Sequence, residues 1–202
     1  MSPRSPGIVF LAAGLGRRYS LAGGAGNKLM SCRIDTDGQS RPIVEIALRH
    51  AQASGLALHI VLRPEATELQ AIAHRYGVPF SMLASQGMGE SIARGVRDTA
   101  AWPGWLIQPA DMTQIRAGDY LRLADALTHH SQARLCWQGK PGHPVAFSAR
   151  WRESLTALSG DAGAKSLLVP AQLLQLEAHP GVLVDHDLPL PPARSCTSQY
   201  RP

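Results

Sequence analysis

The chain has 202 residues, a length typical of one α/β domain or at most two small domains. Hydrophobic residues make up 45% and charged residues 17%, which excludes global disorder because a sizeable core can be buried. The net charge of +5 and the pI of about 9.5 favour anionic ligands. Aromatic residues are only 5% and no long Lys/Arg block occurs, which argues against a dedicated nucleic-acid binder.

No segment approaches the ~18 apolar residues that cross a bilayer, and no signal peptide is recognisable. Cys32, Cys136 and Cys196 are far apart and form no CxxC pair or metal-finger spacing. We therefore expect a cytoplasmic protein without a membrane partner.

The predicted elements begin with the continuous apolar run GIVFLAA at 7–13, which is typical of a buried parallel strand. Asp37-Gly38 predicts a hairpin within 32–41. The next segment has an apolar helical face and ends at Gly55. Further strands are predicted at 58–62, 80–83, 105–108, 134–137, 143–148, 173–177 and 182–184. Further helices are predicted at 67–76, within 86–96, at 119–129 with Leu121, Leu123, Ala124 and Leu127 inward, and near Gly160.

This alternation of strands and helices predicts an α/β fold, a Rossmann-like three-layer αβα arrangement with a mostly parallel sheet. We expect a single domain over 1–190 and a proline-rich C-terminal tail over 191–202. Ligands of such folds bind outside the carboxyl ends of the strands. Three parts of the sequence fall at such ends: the glycine-rich segment after the first strand, residues 86–91 after the third, and Asp111 after the fourth.

The segment FLAAGLGRRYSLAGGAGNKLM, at 10–30, combines five glycines with Arg17, Arg18 and Lys28. Glycines let the backbone approach a ligand closely, and the cations favour a phosphate. The dinucleotide fingerprint GxGxxG fails because Tyr19 occupies the third glycine position, and the P-loop fails because Leu29 follows the lysine.

The pattern LAAGLGRR followed by NKLM resembles the LAAGxGxR…K signature of the MobA-like NTP transferases. This resemblance implies a fold of the nucleotide-diphospho-sugar transferase type. QGMGESIARGV is similar to the base-contacting QGxxxSLxxG segment, and PADMTQI to the GDMP strand end. GKPGHPVAFS, SGDAGAKSLL and VLVDHDLP resemble GxxGHPVLFS, SGDxGARxLL and DxDTP of the molybdenum cofactor cytidylyltransferase (MocA-like) branch. These motifs occur in order over most of 7–189.

The resemblance implies a Mg²⁺-dependent nucleotidyltransferase that transfers CMP from CTP to a phosphorylated acceptor, of the molybdopterin type, and releases pyrophosphate. A molybdoenzyme is then a possible protein partner. The catalytic residues would be Arg18, Lys28 and Asp111, and the metal ligands Asp111 and Asp187, with Asp185 as the weaker candidate. Hard carboxylate oxygens suit Mg²⁺.

The resemblance also divides the remaining site residues between two substrates. Nucleotide-binding residues would be Leu11, Ala12, Ala13, Gly14, Leu15, Gly16, Arg18, Lys28, Gln86, Gly87 and Ser91. Acceptor-binding residues would be Gly142, His143 and Pro144. The histidine next to the metal candidates, His186, is interpreted as a surface residue.

The chain departs from the family pattern in three places. SLAGGAG lengthens the loop between Arg18 and Lys28, Ala110 and Thr113 replace the Gly and Pro of GDMP, and the tail replaces an expected terminal helix. Three alternatives therefore stay open: a transferase that uses GTP or another nucleotide with a molybdopterin or sugar-phosphate acceptor, a dinucleotide oxidoreductase with Asp35 on the ribose, and a non-catalytic cofactor chaperone that binds nucleotide.

Overall fold

The computed structural model describes residues 5–186, and the structural statements below refer to that part of the chain. Its strands are β1 Gly7–Ala12, β2 Cys32–Ile34, β3 Ser40–Pro42, β4 Leu58–Leu62, β5 Phe80–Met82, β6 Gly104–Pro109, β7 Gln132–Trp137, β8 Lys140–Ser148 and β9 Leu173–Glu177. Its α-helices are α1 Arg17–Leu21, α2 Ile43–Gln52, α3 Thr67–Arg75, α4 Met88–Asp98, α5 Ala117–Ala126 and α6 Arg152–Thr156. Short 3-10 helices include Lys28–Met30, Ala164–Leu167 and Pro180–Leu183.

The central sheet of this described part has the strand order β5-β4-β1-β6-β8-β7-β9. Strands β5, β4, β1 and β6 are parallel neighbours, and so are β7 and β9. Strand β8 runs antiparallel to both of its neighbours, β6 and β7. The prediction of a mostly parallel, Rossmann-like α/β sheet is confirmed.

The two faces of the sheet bury two separate apolar clusters. In β1, Ile8 and Phe10 contribute to the cluster that α2, α3 and α5 cover, whereas Val9 contributes to the cluster under α4 and α6. Successive side chains of a strand point to opposite faces, so a strand that is apolar throughout needs helices on both sides. The result is the predicted three-layer arrangement.

Three local predictions are wrong. Residues 182–184 do not form a strand, because the chain makes a 3-10 turn at Pro180–Leu183. The helix near Gly160 is reduced to the 3-10 turn Ala164–Leu167. Helix α5 begins earlier than predicted, at Ala117, and Leu121 is 47% exposed, while Tyr120 packs in the core instead.

The predicted hairpin forms as β2 and β3, and it joins α2 through a cluster of charges. The carboxylate of Asp35 is buried and lies 3.0 Å from Arg41 Nη1, 3.2 Å from Arg49 Nε and 3.0 Å from His50 Nε2. Burial by itself would raise the pKa of Asp35, but hydrogen bonds from Thr36 N–H and His50 lower it overall. Asp35 thus serves the packing of the hairpin, which removes it as a ribose ligand.

Within residues 5–186 no helix has the length and apolar character required to cross a membrane.

Candidate active site

A cavity of about 790 Å³ opens at the carboxyl ends of β1 and β6. It collects side chains and backbone from the glycine-rich segment, the loop before α4, the end of β6, β8 and the turn after β9. The predicted nucleotide-binding residues all line it: Leu11, Ala12, Ala13, Gly14, Leu15, Gly16, Arg18, Lys28, Gln86, Gly87 and Ser91. The topology therefore brings together segments that are far apart in the sequence.

The glycine-rich segment turns sharply between β1 and α1. Gly16 has a φ of 59°, a left-handed conformation that an L side chain rarely adopts, and it directly precedes α1. Gly14 and Leu15 are exposed to the cavity. Arg18, in α1, also lines the cavity and is exposed. The backbone and one cation of this segment therefore face the same space.

The lengthened loop returns Lys28 to the cavity. Gly24 N–H donates to the Tyr19 carbonyl at 3.0 Å, and the loop packs on the Tyr19 ring. Asn27 caps the 3-10 helix Lys28–Met30 by accepting from Leu29 N–H at 3.0 Å, and Leu29 is buried. These contacts hold the inserted segment against Tyr19 and place Lys28 at the start of a short helix beside the cavity.

Lys28 Nζ donates to Asp111 Oδ2 at 2.6 Å. Asp111 follows β6 and is buried except for a small exposed fraction. Its second oxygen, Oδ1, is buried and accepts no hydrogen bond within the described part of the chain. A buried carboxylate oxygen without a donor is unusual, since such groups are nearly always paired.

Asp185, the weaker of the two metal candidates beside His186, lines the same cavity. The stronger candidate, Asp187, lies outside the described residues. His186, interpreted from the sequence as a surface residue, is half-buried, and its Nε2 lies 2.8 Å from Thr113 Oγ1, beside the end of β6. Burial lowers its pKa, and the positive charge of Arg33 lowers it further. No group of three or more His, Cys, Asp or Glu side chains suited to a metal occurs among residues 5–186.

The segment before α4 is held by its own hydrogen bonds. Ser91 is buried, and its hydroxyl donates to Ser85 Oγ at 2.9 Å, while the Ser85 hydroxyl donates to the Gly87 carbonyl at 2.5 Å. Gln86 N–H donates to Glu90 Oε2 at 2.8 Å. Ser85 and Glu90 were not predicted as part of the site, and they fix the shape of this wall.

Gly87 is required for space rather than for conformational freedom. A Cβ on Gly87 would lie 2.2 Å from the Gly160 carbonyl carbon, and one on Gly89 would lie 2.7 Å from the Ala162 carbonyl oxygen. Gly89 N–H also donates to the Gly160 carbonyl at 2.9 Å. This contact brings the segment 159–162 against α4 and places Asp161 in the cavity wall.

Arg63 is a site residue that sequence reasoning missed. Its Nη1 donates to the Ser85 carbonyl at 2.9 Å and to the Ala13 carbonyl at 3.4 Å, and it lines the cavity with Glu65. It therefore ties the end of β1 to the loop after β5. The signal was present, because Arg63 follows β4 directly and so lies at the carboxyl end of a strand.

The predicted acceptor residues divide between the cavity and the core. Gly142 and His143 line the cavity, whereas Pro144 is buried in β8 and does not. Burial lowers the pKa of His143, and the nearby Arg134 lowers it further, so the imidazole is neutral at neutral pH. A Cβ on Gly142 would lie 2.7 Å from Val182, so this glycine admits the turn that closes the cavity.

Comparison with known proteins agrees with this architecture. Rv0371c from Mycobacterium tuberculosis H37Rv superposes with a TM-score of 0.78 at 20% identity, over 93% of this chain and 95% of that one. The structure of its complex with manganese superposes with a TM-score of 0.67 at 19% identity, over 86% of this chain and 88% of that one. A nucleotidyl transferase from Methanothermobacter thermautotroptrophicus, Mth528, superposes with a TM-score of 0.74 at 20% identity, over 92% of this chain and 93% of that one.

No curated protein is similar enough to this chain to count as a match. The family model of the MobA-like NTP transferase domain, by contrast, matches residues 8–177, which includes the glycine-rich segment, Lys28, Asp111 and His143. The chain therefore belongs to the MobA-like NTP transferase family and is a nucleotidyltransferase.

Proposed function

We propose that this nucleotidyltransferase is a Mg²⁺-dependent cytidylyltransferase that transfers CMP from CTP to a phosphorylated acceptor of the molybdopterin type. An oxygen of the acceptor phosphate forms a bond to the α-phosphorus of CTP. The bond from that phosphorus to the bridging oxygen of the β-phosphate breaks, and pyrophosphate leaves with the electron pair. Such reactions depend on alignment and on neutralisation of charge.

The observation that carries the proposal is the Lys28–Asp111 pair in the cavity wall, with Nζ to Oδ2 at 2.6 Å and Oδ1 without a donor among the described residues. Lys28 is the cation that would neutralise charge at the transferring phosphate. Asp111 holds it at the carboxyl end of β6, opposite the glycine-rich segment. Arg18 would bind the β- and γ-phosphates from α1.

The residues present fit a divalent metal. Mg²⁺ usually binds one or two carboxylates and completes its shell with substrate phosphates and water. Asp111 Oδ1, which accepts no hydrogen bond among residues 5–186, is available for this, and Asp185 lines the same cavity. Asp187 remains the predicted second ligand. When bound, the metal would supply positive charge to the phosphates. The Rv0371c complex with manganese supports a divalent ion in this fold.

The two substrates would occupy different walls of the cavity. The backbone of 14–16 would contact the triphosphate, and the segment Gln86–Ser91 the nucleoside. His143, a neutral imidazole at neutral pH, and Gly142 would contact the acceptor from β8. Cytosine and molybdopterin are assigned from GHPV and Ala12-Ala13-Gly14, which favour the cytidylyltransferase branch, and a molybdoenzyme would receive the product.

Thermal unfolding with Mg²⁺ and each of CTP, GTP, ATP, UTP and NADH tests the nucleotide. A ligand at 100 times its Kd that binds only the native state should raise the Tm by roughly 5–10 °C for a chain of this size. We expect such a rise with CTP and Mg²⁺ together, and a reduced rise in Lys28→Ala. A rise with GTP alone would replace cytidylyl transfer by guanylyl transfer, and a rise with NADH alone would contradict the proposal.

Pyrophosphate release then tests the acceptor. We expect release from CTP to require a molybdopterin-type acceptor. Release with a sugar phosphate and none with molybdopterin would keep the nucleotide and overturn the acceptor.

A further inference from the structure

Residues 85–91, which lead into α4 and form one wall of the cavity, are the proposed binding place of the nucleotide base. Few of their polar atoms remain free to recognise that base. The hydroxyl protons of Ser91 and Ser85 are used within the wall, on Ser85 Oγ and on the Gly87 carbonyl. The N–H groups of Gln86 and Gly87 donate to Glu90 Oε2 and to Ser85 Oγ, at 2.8 and 3.2 Å. These groups maintain the shape of the wall, so recognition of a base needs other side chains.

Two side chains of this wall line the cavity with polar atoms that make no hydrogen bond in residues 5–186: the amide of Gln86 and the carboxylate of Asp161. An amide group can donate and accept, so it does not by itself separate one pyrimidine from another. A carboxylate only accepts, and it therefore favours a base edge that carries an amino group.

The position of Asp161 is fixed by the backbone around it. The Gly160 carbonyl accepts from Gly89 N–H at 2.9 Å, and the segment 159–162 lies so close to Gly87 and Gly89 that neither has room for a Cβ. The carboxylate is thus carried on a loop that packs directly against the first turn of α4. A specificity residue needs such a supported position.

The other carboxylates of the cavity each have an interaction partner. Asp111 binds Lys28, Glu65 binds Arg63, and Asp185 has a further interaction of its own. Asp161 makes no ion pair within the described residues, and a lone negative charge would repel a triphosphate. The packing of 159–162 against Gly87 and Gly89 puts it instead at the wall where the nucleoside is proposed to bind.

We infer that Asp161 is a specificity-determining residue that accepts a hydrogen bond from the exocyclic amino group of cytosine. This inference rests on the proposed function, because it assumes that the base lies against 86–91. A carboxylate on that edge attracts the amino group of cytosine and repels the carbonyl oxygen of uracil at the same position. Asp161 would therefore select CTP over UTP, with Gln86 contacting the rest of the pyrimidine edge.

Binding of CTP, UTP and 2′-deoxy-CTP, measured by titration calorimetry with Mg²⁺, tests this assignment in the wild type and in Asp161→Asn. The amide keeps the shape of the side chain but removes the charge. We expect the affinity for CTP to fall roughly tenfold or more, as for loss of a charge-assisted hydrogen bond. The affinity for UTP should change less or rise, so that the ratio of the two approaches one.

Asp125→Asn, the same substitution on the exposed face of α5 outside the cavity, is the matched control and should leave the ratio unchanged. Three results would overturn the inference. If Asp161→Asn keeps the preference for CTP over UTP, Asp161 does not recognise the amino group, and cytidylyl transfer still stands. If only the preference for CTP over 2′-deoxy-CTP is lost, Asp161 contacts the ribose. If the wild type does not prefer CTP over UTP, the inference and the proposed nucleotide both fail.

Discussion

The hairpin cluster around Asp35 and the Lys28–Asp111 pair in the cavity both join carboxylates to cations, but they differ in how completely each carboxylate is satisfied. Asp35 receives Arg41 and Arg49 on Oδ2, and His50 and Thr36 N–H on Oδ1. Asp111 receives Lys28 on Oδ2, and its buried Oδ1 has no donor in residues 5–186. Among the described residues, Asp35 therefore has donors on both carboxylate oxygens, and Asp111 has a donor on one oxygen only.

This difference separates a structural from a functional role. A buried charge without sufficient partners is unfavourable, so a saturated cluster contributes to the stability of the fold, and breaking it leaves uncompensated charges. A carboxylate with one open oxygen contributes less to stability but can bind a ligand that arrives later. The substitutions below test whether the two carboxylates really divide in this way, from the largest expected effect to the smallest.

Asp111→Asn should have the largest effect, and it should act on turnover. We expect the rate of pyrophosphate release to fall roughly 10²-fold or more, since the variant loses the charge that holds Lys28 and the proposed metal. The free energy of unfolding should fall by less than in Asp35→Asn, because Asp111 binds a single cation, whereas Asp35 binds three basic side chains. Steady-state kinetics and urea unfolding check both values. Unchanged turnover would remove Asp111 from the active site.

Asp35→Asn should show the opposite pattern. The side chain of Asp35 is 1% exposed and serves two arginines and His50, so we expect the free energy of unfolding to fall by about 2–3 kcal/mol. Turnover per folded molecule should stay at the wild-type value. Urea unfolding measures the first quantity, with the surface change Asp125→Asn as control. A loss of turnover without a loss of stability would reverse the comparison.

Asp37→Asn should have the smallest effect, a loss of stability that is seen only above acidic pH. The hydrogen bond from Arg41 lowers the pKa of Asp37 from 3.8 to about 2, with help from Gln39 N–H. Because the folded pKa lies below the unfolded one, the stabilisation is present above pH 4 and disappears as the pH falls toward 2. Unfolding midpoints of the wild type and the variant should therefore differ at pH 6 and converge as the pH falls through the folded pKa of about 2. A difference that stays undiminished well below that pKa would show that charge is not its cause.

Sequence patterns with a short period were sufficient for most of the fold. The apolar runs at β1 and β4, the Asp-Gly turn between β2 and β3, and the apolar face of α2 each depend on neighbours a few residues apart. The errors fall where local patterns are weak. Val182 is buried as expected of a strand, but Pro180 and Gly181 favour a turn. Leu121 lies on the exposed face of α5, and the helical periodicity of the sequence did not distinguish that face from the buried one.

The residues of the site were recovered unevenly for the same reason. Lys28 and Asp111 were found because they stand in recognisable motifs at strand ends. Arg63 was missed although its place directly after β4 was a usable signal, and Ser85 was missed because its role depends on hydrogen bonds that no local pattern contains. Gly87 was assigned to the nucleotide from its motif, but its position against Gly160 shows a packing requirement across 73 residues of chain, from 87 to 160.

The sequence by itself determined the α/β class, the family and the chemical character of the glycine-rich segment, because these follow from residue type and short-range order. Tertiary structure alone decided which carboxylate is saturated and which is open. It also decided that Asp161 lies in the wall of the cavity. Burial and hydrogen-bond partners depend on segments that meet only when the sheet has formed, and a residue's chemistry becomes a function only in that environment.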